Sequence, residues 1–406
     1  MTVKPTLGWA VVLVLVASCA AFDGNGDPAG SVPPSTTSGP PVTLRGRITA
    51  SGGSGLEGAV VSLEGGSTIS GSTGTFRLAD ARPGVLSVER HGWRTEHLVW
   101  DGMARRLDVE MEPRIVRGLR VSRNIAADPS AFDRTLELAA SSTVNTLVFD
   151  TKDESGQVLY DSQVAEAREI GAAHDVYDPR GLLLAAEYAD LYTITRIVTF
   201  KDDVRAAARP ELAIANDWID PSNEASWDYP IALGEEACRL GFDEVQFDYV
   251  RFPATAHKTQ EFRTAAIAGF LETATERIHD VGCPVSADIF AIVMSAENDQ
   301  GIGQMPETMA DHVDAISPMI YPSHYSDGWL GYADPNDYPS EVVGDALDDG
   351  VPRFGEGTVM RPWLQAFYYD ASEVLAGIQE AEQRGHGWIL WNAVGRYEQD
   401  WLPPAE

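Results

Sequence analysis

Gly241-Phe-Asp-Glu-Val-Gln-Phe-Asp-Tyr-Val-Arg-Phe-Pro253 reads as a strand that closes on a charge. Valine and the aromatic residues suit a pleated, buried segment, and Pro253 cannot donate to a continuing ladder. Asp248 stands inside this apolar setting, where burying a carboxylate without a task is costly. Apolar residues at helical spacing precede the stretch from Ile231 to Leu240 and follow it from Thr264 to His279. The stretch is therefore one step in an alternation of strand and helix.

Read outward, the alternation continues. Gly118-Leu-Arg-Val121, Asn145-Thr-Leu-Val-Phe-Asp150, Ile194-Thr-Arg-Ile-Val-Thr-Phe200, Val285-Ser-Ala-Asp-Ile289, Ala315-Ile-Ser-Pro-Met-Ile-Tyr321, Trp363-Leu-Gln-Ala-Phe367 and Gly387-Trp-Ile-Leu-Trp391 are further β-branched or aromatic runs, and Ser372 to Arg384 is another helical one. Eight such runs between residues 114 and 406 fit a closed (β/α)8 TIM barrel, an α/β fold. A doubly wound open sheet would call for a Gly-rich phosphate turn after an early strand, and no G-x-G-x-x-G occurs.

Reactive groups of such a barrel gather where its strands end. The polar residues in those places are Asp150 and Lys152 after the second run, Lys201 and Asp202 after the third, and Asp248 and Arg251 after the fourth. Asp288 closes the fifth and Tyr321 the sixth; Trp363 opens the seventh and Asp370 follows it; Trp391 and Asn392 close the eighth. Any one of these acids reads equally well as a loop or helix-cap carboxylate; their convergence points to a site. Asp248 is the strongest candidate for a catalytic role. Asp150, Lys152, Arg251, Tyr321, Trp363, Asp370, Trp391 and Asn392 are the expected substrate contacts. Arg251 either holds Asp248 ionised or pairs with a neighbouring loop acid.

Residues 117 to 400 resemble a bacterial family of TIM barrels classed as glycoside hydrolases, distantly related to the α-amylase clan. The resemblance rests on Asn145-Thr-Leu-Val-Phe-Asp-Thr-Lys-Asp-Glu-Ser-Gly156, Thr195-Arg-Ile-Val-Thr-Phe-Lys-Asp202, Ala208-Arg-Pro-Glu-Leu-Ala213 and Gly241 to Pro253. It implies hydrolysis of glycosidic bonds of a polysaccharide or oligosaccharide by two carboxylates. Asp248 and Asp288 would be the catalytic pair, Asp248 the nucleophile and Asp288 the general acid where the clan usually has a glutamate; because Asp is shorter by one methylene, either the substrate lies closer or Asp150 or Asp370 supplies the proton instead. The chitinase-type motif D-x-x-D-x-D-x-E runs in register with Asp243 and Asp248, but Gln246 and Val250 break it. The competing reading is a carbohydrate-binding lipoprotein without chemistry. Metal-dependent deacetylation would call for paired histidines at ligand spacing, and His257, His279, His312 and His324 show none. No metal and no cofactor is expected.

Residues 42 to 113 differ in character, with short alternating runs such as Thr43-Leu-Arg-Gly-Arg-Ile48, Ala59-Val-Val-Ser-Leu63, Thr75-Phe-Arg-Leu78 and Val85-Leu-Ser-Val-Glu89 between Gly-rich turns. They predict a small all-β sandwich. The pattern is similar to the carboxypeptidase regulatory-like domain, a prealbumin-like sandwich attached to exported enzymes and receptors. Residues 20 to 41 are Gly, Pro, Ser and Thr with little that is apolar, the composition of a flexible linker.

Met1-Thr-Val-Lys4, the apolar run Leu7 to Ala17 and Ser18-Cys19 have the layout of an export signal. Val16-Ala17-Ser18-Cys19 resembles a bacterial lipobox, so residues 1 to 19 read as a lipoprotein signal peptide with lipidation at Cys19. The expected location is the extracellular side of the bacterial membrane, held only by that lipid; the alternative is an ordinary signal peptide with an incidental cysteine, and a secreted protein. Cys238 and Cys283, each just before a predicted barrel strand, are then a candidate disulfide. A formal net charge of -31 repels phosphate backbones and anionic headgroups, which argues against nucleic acid as a partner.

Overall fold

A computed structural model describes residues 42–355 and 357–405. The export signal, Cys19 and the linker to residue 41 lie outside the described residues. The barrel strands are β1 (Arg117–Val121), β2 (Thr146–Lys152), β3 (Tyr192–Val198), β4 (Glu244–Asp248), β5 (Val285–Phe290), β6 (Ala315–Ile320), β7 (Trp363–Gln365) and β8 (Trp388–Trp391). Each runs parallel to the next, and β8 pairs with β1 to close the barrel. A short strand, Val359–Met360, also pairs with β6 ahead of β7.

Parallel strands covered on both faces read as continuous apolar runs, and every residue of β2 is buried. Side chains facing the helices belong to one large cluster. Those facing the barrel interior, Val148, Ile194, Tyr321, Trp363 and Ile389, form another. The interior is not wholly apolar. Near the strand starts Glu244 accepts from Ser286 Oγ at 2.5 Å and from Tyr192 OH at 3.1 Å, and pairs with Arg361. One level up, Gln246 Nε2 donates to Ser317 Oγ at 3.2 Å. These residues alternate along β4 with helix-facing Val245 and Phe247, as the two-residue period requires.

The helical runs appear as Asp228–Leu240, Gln260–Asp280 and Ala371–Gln383. The first ends on Gly241 at φ 113°, a left-handed position where a side chain would be strained. The third strand begins two residues earlier than the sequence suggested, at Tyr192, because Asn145 O accepts from its N–H and extends the ladder.

Residues 42 to 113 fold into two sheets. Val42–Ala50 lies between Thr75–Ala81 and Val109–Met111 in one, and the other has the order Gly66–Ile69, Val60–Leu63, Gly84–Glu89, Glu96–Trp100. Leu44, Ile48, Val61, Phe76, Leu86, Val88 and Trp100 form their shared core, which also takes in Ala315 and Val359 of the barrel. The contact lies at the N-terminal end of β6. There Arg90 Nη1 donates to Gly357 O at 2.7 Å, and His91 stacks on His279 with ring centroids 4.2 Å apart. No helix among the described residues is long and apolar enough to cross a membrane.

Cys238, in helix Asp228–Leu240, and Cys283, just ahead of β5, are joined as a disulfide with Cα atoms 6.1 Å apart. The bridge spans 45 residues of sequence. Its loss relaxes a constraint on the unfolded chain, worth about 2–4 kcal/mol. Urea unfolding with and without reductant should show that difference; coincident curves would mean that the two thiols are not bonded in the native protein.

Candidate active site

The strands of this barrel end in charges, and a single guanidinium organises them. Arg196 lies in the middle of β3, in register with Asp150 on β2 and Gln246 on β4. At 1% exposure it has no water to solvate it, and the side chains around it do so instead. Nη1 donates to Asp150 Oδ1 at 2.9 Å, Nε to Asp248 Oδ2 at 2.9 Å and Nη2 to Glu154 Oε1 at 2.6 Å, with a further bond from Nη2 to Asp248. Burial works to lower the pKa of Arg196, but Glu154, Asp248, Asp150 and Asp288 together outweigh it and hold the group firmly charged.

Asp150 is also clamped by Arg120 of β1, which reaches its two oxygens at 3.2 and 2.5 Å. The Arg120 guanidinium lies 3.9 Å from the ring centre of Trp391 at the end of β8, and Arg196 lies 4.8 Å from it. Trp391 thus forms a wall with a cationic backing. Glu154, in the loop after β2, is pushed up by burial but pulled down further by Arg196 and Arg120, to about 2.

The two expected catalytic acids have unlike surroundings. Asp248 accepts from Arg196 on Oδ2 and from the Tyr249 N–H on Oδ1 at 2.6 Å. Tyr249 itself takes φ 52°, a left-handed backbone costing a non-glycine residue about 1 kcal/mol. Asp288 is fully buried. Its Oδ1 accepts from Trp363 Nε1 at 2.9 Å, and its Oδ2 has no partner among the described residues. Burial first, and then the charge of Asp248, raise its pKa well above the usual carboxylate range, which favours the protonated form. Tyr321 closes the same space from β6, edge-on to Phe367 at 5.6 Å and 6.5 Å from Trp391.

Four sequence expectations need correction. Lys152 is fully buried, pairs with Asp202 at 2.9 Å and donates to Val198 O, so it fastens β2 to the end of β3 and meets no open surface. Asp370 is the N-cap of helix Ala371–Gln383, bonded to Ser372 and Glu373 in a capping box. Asn392 spends its amide on Ala366 O, Val394 N and Arg396 N, shaping the loops after β7 and β8. Arg251 does not hold Asp248 or any other acid among the described residues; it lies over aromatic rings. Arg196, Arg120 and Glu154 were not singled out from sequence. The signal was present, since Arg196 and Arg120 are lone charges within β-branched runs, the same feature that marked Asp248.

Among the described residues, no three His, Cys, Asp or Glu side chains are grouped so as to hold a metal. The acids converge on arginines instead.

Arg196→Met would strand Asp150, Asp248 and Glu154 around one lost cation. Removing one partner of a buried pair costs about 3–5 kcal/mol, so urea unfolding at pH 7 should show a loss of that order. The deficit should shrink on acidification as the stranded carboxylates take up protons; a deficit independent of pH would assign it to packing.

Residues 118–397 match the model of a family described as "putative glycosyl hydrolase domain". Among solved structures, the PgaB (BpsB) glycoside hydrolase domain from Bordetella bronchiseptica is similar at TM-score 0.52 and 11% identity, over 69% of this chain and 95% of that one, a likeness of fold. A hypothetical protein from Ruminiclostridium thermocellum is 32% identical over 42% of this chain and 96% of that one, at TM-score 0.38. No curated protein sequence matches this chain. The match over residues 118–397, the whole span of the barrel, places this chain in the glycosyl hydrolase family that the model describes.

Proposed function

We propose that this protein is a glycoside hydrolase, exported and lipid-anchored at Cys19, that cleaves O-glycosidic bonds of a polysaccharide with Asp288 as general acid and Asp248 as its carboxylate partner. One observation carries the reading: two neighbouring carboxyl groups in unlike surroundings. Asp248 is held by a guanidinium and a backbone N–H as an acceptor, while Asp288 is buried, has one oxygen without a partner among the described residues, and has its pKa raised by burial and by Asp248. A carboxyl group that holds its proton more tightly than usual, beside a carboxyl group fixed by a guanidinium, is what glycosidic cleavage needs. Asp288 gives its proton to the glycosidic oxygen as the bond to the anomeric carbon breaks. Asp248 attacks that carbon or takes the proton of the entering water. Arg196 keeps Asp248 aimed, and Trp391 and Tyr321 offer rings against which a sugar can stack.

The two-sheet region at the far end of the barrel fits an accessory module of the carboxypeptidase regulatory-like kind. The lipobox pattern at residues 16–19 supports the anchor, and a disulfide suits an oxidising compartment.

Released reducing ends from a polysaccharide panel test the pair. Asp288→Asn should slow release by about 10²–10⁴-fold, and Asp248→Asn should do so at least as severely, with both variants melting cooperatively. For wild type, kcat/KM should fall as pH rises through the raised pKa of Asp288. Stability supplies an independent check. Because the folded protein retains a proton that the unfolded chain has lost above the ordinary carboxylate range, ionisable Asp288 destabilises the fold as pH rises from there. Asp288→Asn should therefore melt higher than wild type at pH 7, with the gap closing near about pH 4. If both variants cut at the wild-type rate, the pair is misassigned; if wild type binds a glycan and cuts none, the protein is a carbohydrate-binding one.

The anchor is tested apart from the chemistry. Cys19→Ser should move the protein from the membrane fraction to the soluble fraction of the producing bacterium; unchanged fractionation would overturn lipidation there.

A further inference from the structure

The buried arginines of the barrel each hold a carboxylate: Arg120 holds Asp150, Arg196 holds Asp150 and Asp248, Arg205 holds Glu166, Arg263 holds Asp299 and Arg361 holds Glu244. Arg251 is the exception at the mouth. Its backbone is pinned, because Val250 and Phe252 on either side are fully buried and Phe252 N donates to Ile302 O at 2.8 Å. Its guanidinium lies 4.5 Å from the ring centre of Trp218, 4.6 Å from that of Phe290 and 5.2 Å from that of Tyr249. Nη1 donates to Phe252 O at 3.0 Å. Nε is buried and has no partner, and no acid among the described residues lies within ion-pair distance.

The three rings come from the ends of β3, β4 and β5 or from just beyond them: Trp218 from the strand Trp218–Ile219 after β3, Tyr249 from the residue after β4, and Phe290 from the last residue of β5, two beyond Asp288. The cage thus belongs to the sector of the barrel that carries both carboxyl groups. It is open, since Phe290 is 36% exposed and Tyr249 is only partly covered. Aromatic faces attract a cation but give its N–H groups nothing to donate to. Burial accordingly lowers the Arg251 pKa, with Tyr249 and Asp248 pulling weakly the other way. A fixed guanidinium fork with unused donors matches a planar oxyanion, and the flanking rings suit a sugar face.

We propose that Arg251 and its aromatic cage bind an anionic substituent of the sugar, so that the natural substrate is an acidic polysaccharide. This rests on the glycoside hydrolase reading and names its substrate class. The rest of the molecule disfavours polyanions, with its net charge of -31. At about 0.15 M ionic strength the screening length is about 8 Å, so distant charges are muted and the contact at Arg251 decides.

The test uses the full-length chain in mild detergent at that ionic strength. Binding to immobilised polygalacturonate and hyaluronan (carboxylate), dextran sulfate (sulfate), dextran (neutral) and chitosan (cationic) is measured for wild type, Arg251→Gln, Arg251→Lys and Phe290→Ala, with thermal melts for each. Wild type should bind at least one acidic polymer. Arg251→Gln should weaken that binding tenfold or more, Arg251→Lys should recover part of it, and Phe290→Ala, which removes an exposed wall, should weaken it even if Arg251→Gln does not fold. Whether the carboxylate or the sulfate polymers are held identifies the substituent. Binding to no acidic polymer, equal binding by folded Arg251→Gln, or a preference for dextran or chitosan overturns the proposal. Reducing-end release from the same polymers separates the two readings. Acidic polymer bound through Arg251 but never cut leaves this inference and removes the hydrolase, whereas a neutral polymer cut with no acidic one bound does the reverse.

Discussion

The side chain on which this barrel mouth depends is Arg196. A guanidinium at 1% exposure must be solvated by the protein itself, and here Asp150 and Asp248 do so from the adjacent strands while Glu154 does so from a loop. Parallel pairing of β2, β3 and β4 places these groups together, and Arg120 extends the network to β1. Four consecutive strands are thus tied at their C-terminal ends by charge as well as by backbone hydrogen bonds. That anchorage lets Asp248 remain an aimed carboxylate in a buried place.

Asp288 shows what the network does not reach. One strand further along, it receives only the indole N–H of Trp363 and faces the negative charge of Asp248. Two residues of the same type on neighbouring strands therefore differ because one lies inside the arginine network and the other just beyond it. The interior near the strand starts is also polar, with Glu244 neutralised by Arg361 and bonded to Ser286 and Tyr192. In that network both Glu244 oxygens are bonded, while Arg361 Nε has no partner among the described residues. The orphan oxygen of Asp288 and the orphan Nε of Arg251 fit a role in contact with something bound.

The two-sheet region packs against the start of β6, through Ala315, Val359 and the contacts of Arg90 and His91. This is the end of the barrel opposite to the charge network. The mouth therefore owes its shape to the barrel's own loops, among them the left-handed turn at Tyr249.

The eight strands were legible in the sequence because parallel strands buried on both faces are apolar throughout, and such runs need no knowledge of their partners. Asp248 and Asp288 were legible for the complementary reason, as charges set in those runs. The cap at Asp370 was a local signal as well, a box closed by Glu373 three residues on. What answers Asp248 was not legible. Its nearest cation in sequence, Arg251, is carried away into an aromatic cage once the strand ends and Tyr249 turns, while Arg196, 52 residues earlier, arrives through strand register. Local sequence determined which side chains are charged and which segments are strands. Only tertiary structure decided which charges meet, because the cost of burying a charge is settled by its nearest neighbours in space.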